Sequence, residues 1–323
     1  MRTDLFSAAQ LLKQAEDVYI LCHRHPDGDT LGSGFALKHA LAALGKRTRL
    51  LCSDEIPEKY ARFMMTPETR EYFPPQFVVA VDIADLQLLG EELQTYRDRI
   101  DLCIDHHPSN TGYARHTVVD PTAAATAELI FDLIGLLGVQ LDSCMADCIY
   151  AGLSTDTGGF RFSNTTARTH RIAASVIDAG ADHTAINYQL LEVKSLQRME
   201  VERRVLNSLA YYFDNRVAVL CITQQMLRET GAREDELDGI AALPRRIAGV
   251  QVGVTLREQP DGSYKVSLRT NEGVDASQVC SQLGGGGHAR AAGCNLKMEQ
   301  DAAVQAILQT LRPYLEQIPD NKE

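Results

Sequence analysis

Val18-Tyr19-Ile20-Leu21-Cys22 runs directly into His23-Arg24-His25-Pro26-Asp27-Gly28-Asp29. An unbroken apolar run of this length reads as a strand buried on both faces, and Pro26 and Gly28 then mark a sharp turn. From Leu31 to Leu44 apolar residues recur at helical spacing, and Gly45 closes the segment. Further out, Thr48–Cys52, Phe77–Val81 and Leu102–Ile104 read as additional strands. Buried strands separated by helices define the α/β class with a doubly wound parallel sheet. Such sheets bind ligands at the carboxyl ends of their strands. Three strands end in reactive residues: the His23–Asp29 stretch after Cys22, Asp82 after Val81, and Asp105-His106-His107 after Ile104. The pattern predicts these clusters along one edge of one sheet.

Residues 123–181 are mostly helical in pattern, broken at Ser154-Thr155-Asp156-Thr157-Gly158-Gly159, and Leu190–Tyr211 reads as one charged helix. The pattern then changes. Val217–Ile222, Val250–Arg257 and Tyr264–Arg269 read as strands, with a hairpin turn at Pro260-Asp261-Gly262. A helix over Ala276–Leu283, the run Gly284–Gly287 and a final helix over Gln300–Leu315 complete a smaller α+β domain, with Asp320–Glu323 as a frayed tail. The expected division is residues 1–190, a helical connector over 191–215, and 216–323.

The 323 residues are enough for two cores. With 45% hydrophobic and 23% charged residues, the chain is globular rather than disordered. The net charge of −11 argues against coating long duplex nucleic acid, which requires neutralising many phosphates. No apolar run approaches the roughly 20 residues that span a bilayer, and Met1–Phe6 reads as the start of an amphipathic helix without signal-peptide features. A cytoplasmic protein that avoids membranes is therefore expected. The eight cysteines form no Cys-x-x-Cys pair and fall mostly in apolar runs, as free thiols do in a reducing compartment.

His23, Asp27, Asp29, Asp82, His106 and Asp156 are candidate metal ligands, each after a strand or in a glycine-rich loop. Carboxylates with a minority of imidazoles suit Mn²⁺, Mg²⁺ or Fe²⁺ better than structural zinc. Six such groups exceed one site and fit two metals sharing a carboxylate, the arrangement that clamps both oxygens in phosphoryl substitution. Taken singly, Asp29 and Asp82 also read as helix caps, and Asp105-His106-His107 as a polar loop. The run Gly284–Gly287 lets backbone N–H groups approach an anion, although a flexible turn explains it equally well; with no Lys-Ser or Lys-Thr following, it is not a P-loop.

His23-x-His25-Pro26-Asp27-Gly28-Asp29, Asp82, Asp105-His106-His107 and Gly152-Leu153-Ser154-Thr155-Asp156-Thr157-Gly158 resemble, in order, the four motifs of the DHH phosphoesterase family. Gly284-Gly285-Gly286-Gly287-His288-Ala289-Arg290-Ala291-Ala292-Gly293 resembles the signature of the DHH-associated substrate domain. Within that family the chain is most similar to nanoRNase-type oligoribonucleases that also act on 3′-phosphoadenosine 5′-phosphate.

The resemblance implies a two-metal phosphodiesterase and phosphatase with its active site in a cleft between the domains. By that resemblance it would cut oligoribonucleotides of about two to five nucleotides to mononucleotides and 3′-phosphoadenosine 5′-phosphate to AMP. His23, Asp27 and Asp82 would hold one Mn²⁺, and Asp29, Asp82, His106 and Asp156 the other, with Mg²⁺ or Fe²⁺ as alternatives. His107 would act at the scissile phosphate, with Asp105 orienting the pair and His25 beyond the ligands. Arg269, Gly286, Gly287 and His288 would bind the substrate's far phosphate or nucleotide. The partner is a short RNA or nucleotide, and a homodimer stays open. Competing readings are a linear-dinucleotide phosphodiesterase of cyclic-dinucleotide turnover, a single-strand exonuclease, a polyphosphatase, and a non-catalytic nucleotide sensor.

Overall fold

The computed structural model describes residues 1–60, 72–237, 239–271 and 273–316, so Asp320–Glu323 lies outside the described residues. The chain divides into two compact units, with the second beginning at Lys194.

The first unit is built on a five-stranded parallel sheet. Its strands are β1 (Asp17–Leu21), β2 (Arg47–Leu51), β3 (Phe77–Val81), β4 (Leu102–Asp105) and β5 (His116–Val119), in the order 2-1-3-4-5. Successive residues bury opposite faces, as the strand period of two requires. Val18, Ile20, Val79, Val81, Leu102 and Ile104 join one core; Tyr19, Leu21, Val78, Ala80 and Cys103 join the other. The first core is filled by helices α1 (Leu5–Gln14), α2 (Gly28–Ala43), α3 (Thr126–Leu137) and α4 (Ser143–Asp156). Over the second face lie 3₁₀ turns at Leu86–Leu89 and Gln94–Tyr96.

The strand order reverses between β1 and β3, the switch point at whose carboxyl ends sheets of this class bind ligands. Residues following β1, β3 and β4, three adjacent strands, therefore share one edge. From the helical side, α4 approaches α2 very closely. A Cβ at Gly32 would come within 2.3 Å of the Cys148 carbonyl oxygen, and one at Gly152 within 2.9 Å of Asp29 Oδ1. Two glycines thus remove the side chains that would hold Asp29 and the end of α4 apart.

The second unit carries a six-stranded sheet of β6 (Ala210–Tyr212), β7 (Val217–Ile222), β8 (Val252–Glu258), β9 (Tyr264–Thr270), β10 (Gly286–His288) and β11 (Ala291–Leu296). The order is 10-11-9-8-7-6, parallel only at β7–β8. One face packs on helices over Ala276–Gln282 and Gln300–Glu316. In β9, Tyr264, Val266 and Leu268 enter that core, which leaves Lys265, Ser267 and Arg269 on the opposite face.

The single charged helix expected over Leu190–Tyr211 is not formed. Tyr188–Glu192 makes a π turn, Val193 is extended, and Ser195 starts a separate helix, Leu196–Asn207, by accepting from the Arg198 amide. Ala210–Tyr212 is already strand. A serine placed to cap overrides the charged, helix-favouring composition around it.

Candidate metal centre

β1 delivers His23 and the chain then turns into α2. Asp27, not Asp29, caps that helix: its Oδ1 accepts from the Asp29 and Thr30 amides at 3.0 Å. Asp29 is therefore a first-turn helical residue, not part of an extended loop, and its carboxylate points away from its own helix end. Asp29 Oδ2 instead accepts from the Thr126 amide at 2.7 Å and Oδ1 from the Ala127 amide at 2.9 Å. These amides are the free donors at the start of α3, where the helix dipole favours negative charge.

Asp82 follows β3 with φ of +59°, a left-handed conformation that aspartate tolerates better than most residues. The carboxylate is buried and its oxygens diverge. Oδ2 lies 3.6 Å from His23 Nε2, while Oδ1 lies 3.8 Å from His106 Nε2 and accepts from the Thr126 hydroxyl at 2.9 Å. Asp156 is the last residue of α4 rather than a loop residue, and its Oδ2 is 3.4 Å from His106 Nε2.

The two inward histidines are fixed alike. His23 Nδ1 donates to the Arg24 carbonyl at 2.7 Å, and His106 Nδ1 to the Ala123 carbonyl at 3.2 Å. Both assignments turn Nε2 toward carboxylates, the arrangement usual for metal-ligating imidazole. His106 Nε2 is buried without a hydrogen-bond partner and faces Asp156, Asp82 and Asp29 at 3.4–4.0 Å. A lone pair opposed by three carboxylates is unfavourable unless a cation lies between them. His23, Asp27 and Asp82 offer atoms within 4.8 Å of one another, and so do Asp29, His106 and Asp156. The donor set therefore fits divalent cations, and Asp82 touches both groups.

The electrostatics agree. Burial pushes the Asp29 and Asp82 carboxyls up, with neighbouring carboxylates adding to the effect, and moves Asp156 up to about 6. Burial opposes charge on His23, but Asp27 and Asp82 outweigh it and raise the imidazole to about 11. Without metal, protons supply the positive charge this site requires. Carboxyls raised in the folded state bind extra protons there, so metal-free stability rises as pH falls through about 6 toward the ordinary carboxylate range. Mn²⁺ at about 100 times its Kd should stabilise the protein by about 2.7 kcal/mol. For a unit of this size that is roughly 5–10 °C in Tm. The shift should shrink between pH 8 and pH 5 in thermal melts, whereas a shift that grows on acidification would contradict this account.

His107 forms a third ligand group with Asp82 and His106, its Nδ1 lying 3.6 Å from Asp82 Oδ1. Its Nδ1 is 2.8 Å from Asp105 Oδ1, which leaves Nε2 for another partner on a half-exposed ring. Asp105 raises this imidazole to about 9 against the opposing effect of burial. Asp105 is held in turn by the His106 and His107 amides and, through Oδ2, by the Asn110 amide group at 2.6 Å. His25 belongs to none of the three ligand groups; its exposed ring pairs with Asp54 at 2.9 Å.

Sequence reasoning missed Thr126 and Asn110. Thr126 sits within Ala123-Ala124-Ala125-Thr126-Ala127, where nothing marks one hydroxyl as special. Thr126→Val removes the hydroxyl bond to Asp82 while keeping shape, and should weaken metal affinity by about ten- to a hundredfold in a Mn²⁺ titration.

In the second unit, Arg269, Gly286, Gly287 and His288 line one groove of about 670 Å³ together with Lys265 and Ser267. A Cβ at Gly285 would come within 2.1 Å of the Gly293 carbonyl oxygen, and at Gly287 within 2.6 Å of that of Ala291. Both are glycine for packing, whereas Gly286 faces open space. Arg290 is not part of this lining and bonds the Asn271 carbonyl.

A parallel sheet with carboxylates and imidazoles gathered at its switch point is the framework of a metal-dependent hydrolase. Residues 17–153 match the DHH family, N-terminal domain, and residues 214–317 match the DHHA1 domain. The chain belongs to the DHH family of phosphoesterases. It is 35% identical to the bifunctional oligoribonuclease and PAP phosphatase NrnA of Thermus thermophilus, over 95% of this chain and 93% of that one. The protein of the same name from Bacillus subtilis is 27% identical, over 96% and 98%. Among solved structures, an exopolyphosphatase-related protein from Bacteroides fragilis shares the fold with a TM-score of 0.82 at 23% identity, covering 96% of each chain. Among the described residues no helix is long and apolar enough to cross a membrane.

Proposed function

We propose that the chain hydrolyses oligoribonucleotides of about two to five nucleotides to mononucleotides, and 3′-phosphoadenosine 5′-phosphate to AMP, with two Mn²⁺ ions. One observation carries the two-metal part: the Asp82 oxygens divide between His23 and His106, so one carboxylate belongs to two ligand groups. The names of the Thermus and Bacillus relatives support the substrate class. An acidic chain without a long basic stripe favours short substrates over processive action on long strands.

His23, Asp27 and Asp82 would hold one ion, and Asp29, Asp82, His106 and Asp156 the other. When bound, the ions supply Lewis acidity toward phosphoryl oxygens and lower the pKa of water. The chain supplies the rest. Thr126 and the first amides of α3 hold Asp82 and Asp29 in place. Asp105 keeps the His107 proton on Nδ1 in the neutral ring and stabilises the imidazolium, whose Nε2 proton passes to the departing oxygen. Arg269, Gly286, Gly287 and His288 bind the far phosphate or nucleotide. Arg269→Ala and His288→Ala should accordingly raise KM with little change in kcat, and unchanged KM in both would remove these residues from substrate binding.

The direct test is a Mn²⁺ time course on end-labelled RNA, comparing a dinucleotide with a strand of about two dozen nucleotides. Rapid loss of the dinucleotide beside a nearly inert long strand is the expected result. Processive decay of the long strand would overturn the proposal.

A further inference from the structure

We infer that Phe162 is the platform on which a nucleobase of the substrate stacks; the inference rests on the oligonucleotide reading above. The loop after Asp156 is short and tightly held. The Asn164 amide group donates to the Asp156 carbonyl at 3.2 Å and to the Ala124 carbonyl at 2.9 Å, which ties the loop to the segment leading into α3. Phe162 and Arg161 amides both donate to the Thr157 carbonyl at 3.0 Å.

The loop's two aromatic rings diverge. Phe160, with φ of +62°, turns inward and stacks on His170 with centroids 5.3 Å apart. Phe162 turns outward and is 56% exposed. Its ring nevertheless has a built seat: a Cβ at Gly158 would lie within 2.4 Å of it, so the ring rests directly on the backbone two residues past Asp156. Gly158 is doubly constrained, because its φ is +59°. A single exposed apolar ring is ordinary on a protein surface, so position decides. Other exposed rings, Phe6, Tyr72, Tyr188 and Tyr211, lie on segments that carry none of the candidate ligands. Phe162 lies on a loop that begins at one.

A rigid ring at that place answers a chemical need. An enzyme that degrades fragments of any sequence must grip a base without reading it. Stacking does so, because every base has a π face, and it moves affinity by about tenfold or more. The ligand class is therefore a purine or pyrimidine nucleotide held through its base.

The chain has no tryptophan, so Phe162→Trp introduces a lone fluorophore at the proposed contact. AMP should quench its emission saturably, and ribose 5-phosphate, which lacks the base, should not. In parallel, Phe162→Leu keeps an apolar group on Gly158 but removes the ring; it should raise KM for an adenine dinucleotide about tenfold, with the change falling on KM rather than kcat. No quenching by AMP, equal quenching by both ligands, or an unchanged KM would overturn the inference. Failure of the oligonucleotide reading is seen separately, as absence of dinucleotide hydrolysis by the unaltered protein.

Discussion

Asp82→Asn protein should fold, yet hydrolyse a dinucleotide at least about 10³-fold more slowly than the parent. The substitution keeps shape, tolerates the left-handed backbone at φ +59°, and still accepts from the Thr126 hydroxyl. What it removes is a negative charge facing both His23 and His106. Because burial disfavours that charge in the metal-free state, melting without cation should stay near the parent value or rise. The stabilisation by Mn²⁺ should largely vanish. Retained turnover together with a normal thermal response to Mn²⁺ would show that Asp82 does not join two metal sets.

His107→Ala should separate chemistry from metal binding. Positioned proton transfer contributes about 10²–10⁴-fold, so kcat on a dinucleotide should fall within that range. The thermal response to Mn²⁺ should persist, since His107 Nδ1 is committed to Asp105 and two of the three ligand groups form without it. Asp105→Asn should act in the same direction more weakly, by loosening the ring rather than deleting it. If His107→Ala instead abolished the Mn²⁺ response, the imidazole would be a ligand and its proposed role would fail.

The residues after β1, β3 and β4 were readable in the sequence because each ends an uninterrupted apolar run, and a parallel sheet sends all such ends to one edge. Strand β5, only four residues and half of it partly exposed, left no comparable trace. Local spacing also misplaced two aspartates. Spacing put the cap at Asp29, whereas Asp27 takes it, and the amides that hold Asp29 lie 97 and 98 residues away. Asp156 looked like a loop residue because the glycines beside it follow the helix rather than interrupt it. Thr126 had no signal: its importance comes from where α3 begins relative to β3, a tertiary fact. The expected connector helix failed for the opposite reason, since Ser195 starts a new helix within a pattern that composition alone would make continuous.

Strand β10 spans only Gly286–His288 and forms the outer edge of the second sheet. An open sheet edge is a hazard, because another chain can pair along it and seed aggregation. Three residues, two of them glycine, offer an incoming strand too little ladder to hold. An edge too short to recruit a neighbouring polypeptide still presents backbone polar groups along its outer side. Lengthening β10 by insertion would therefore threaten solubility.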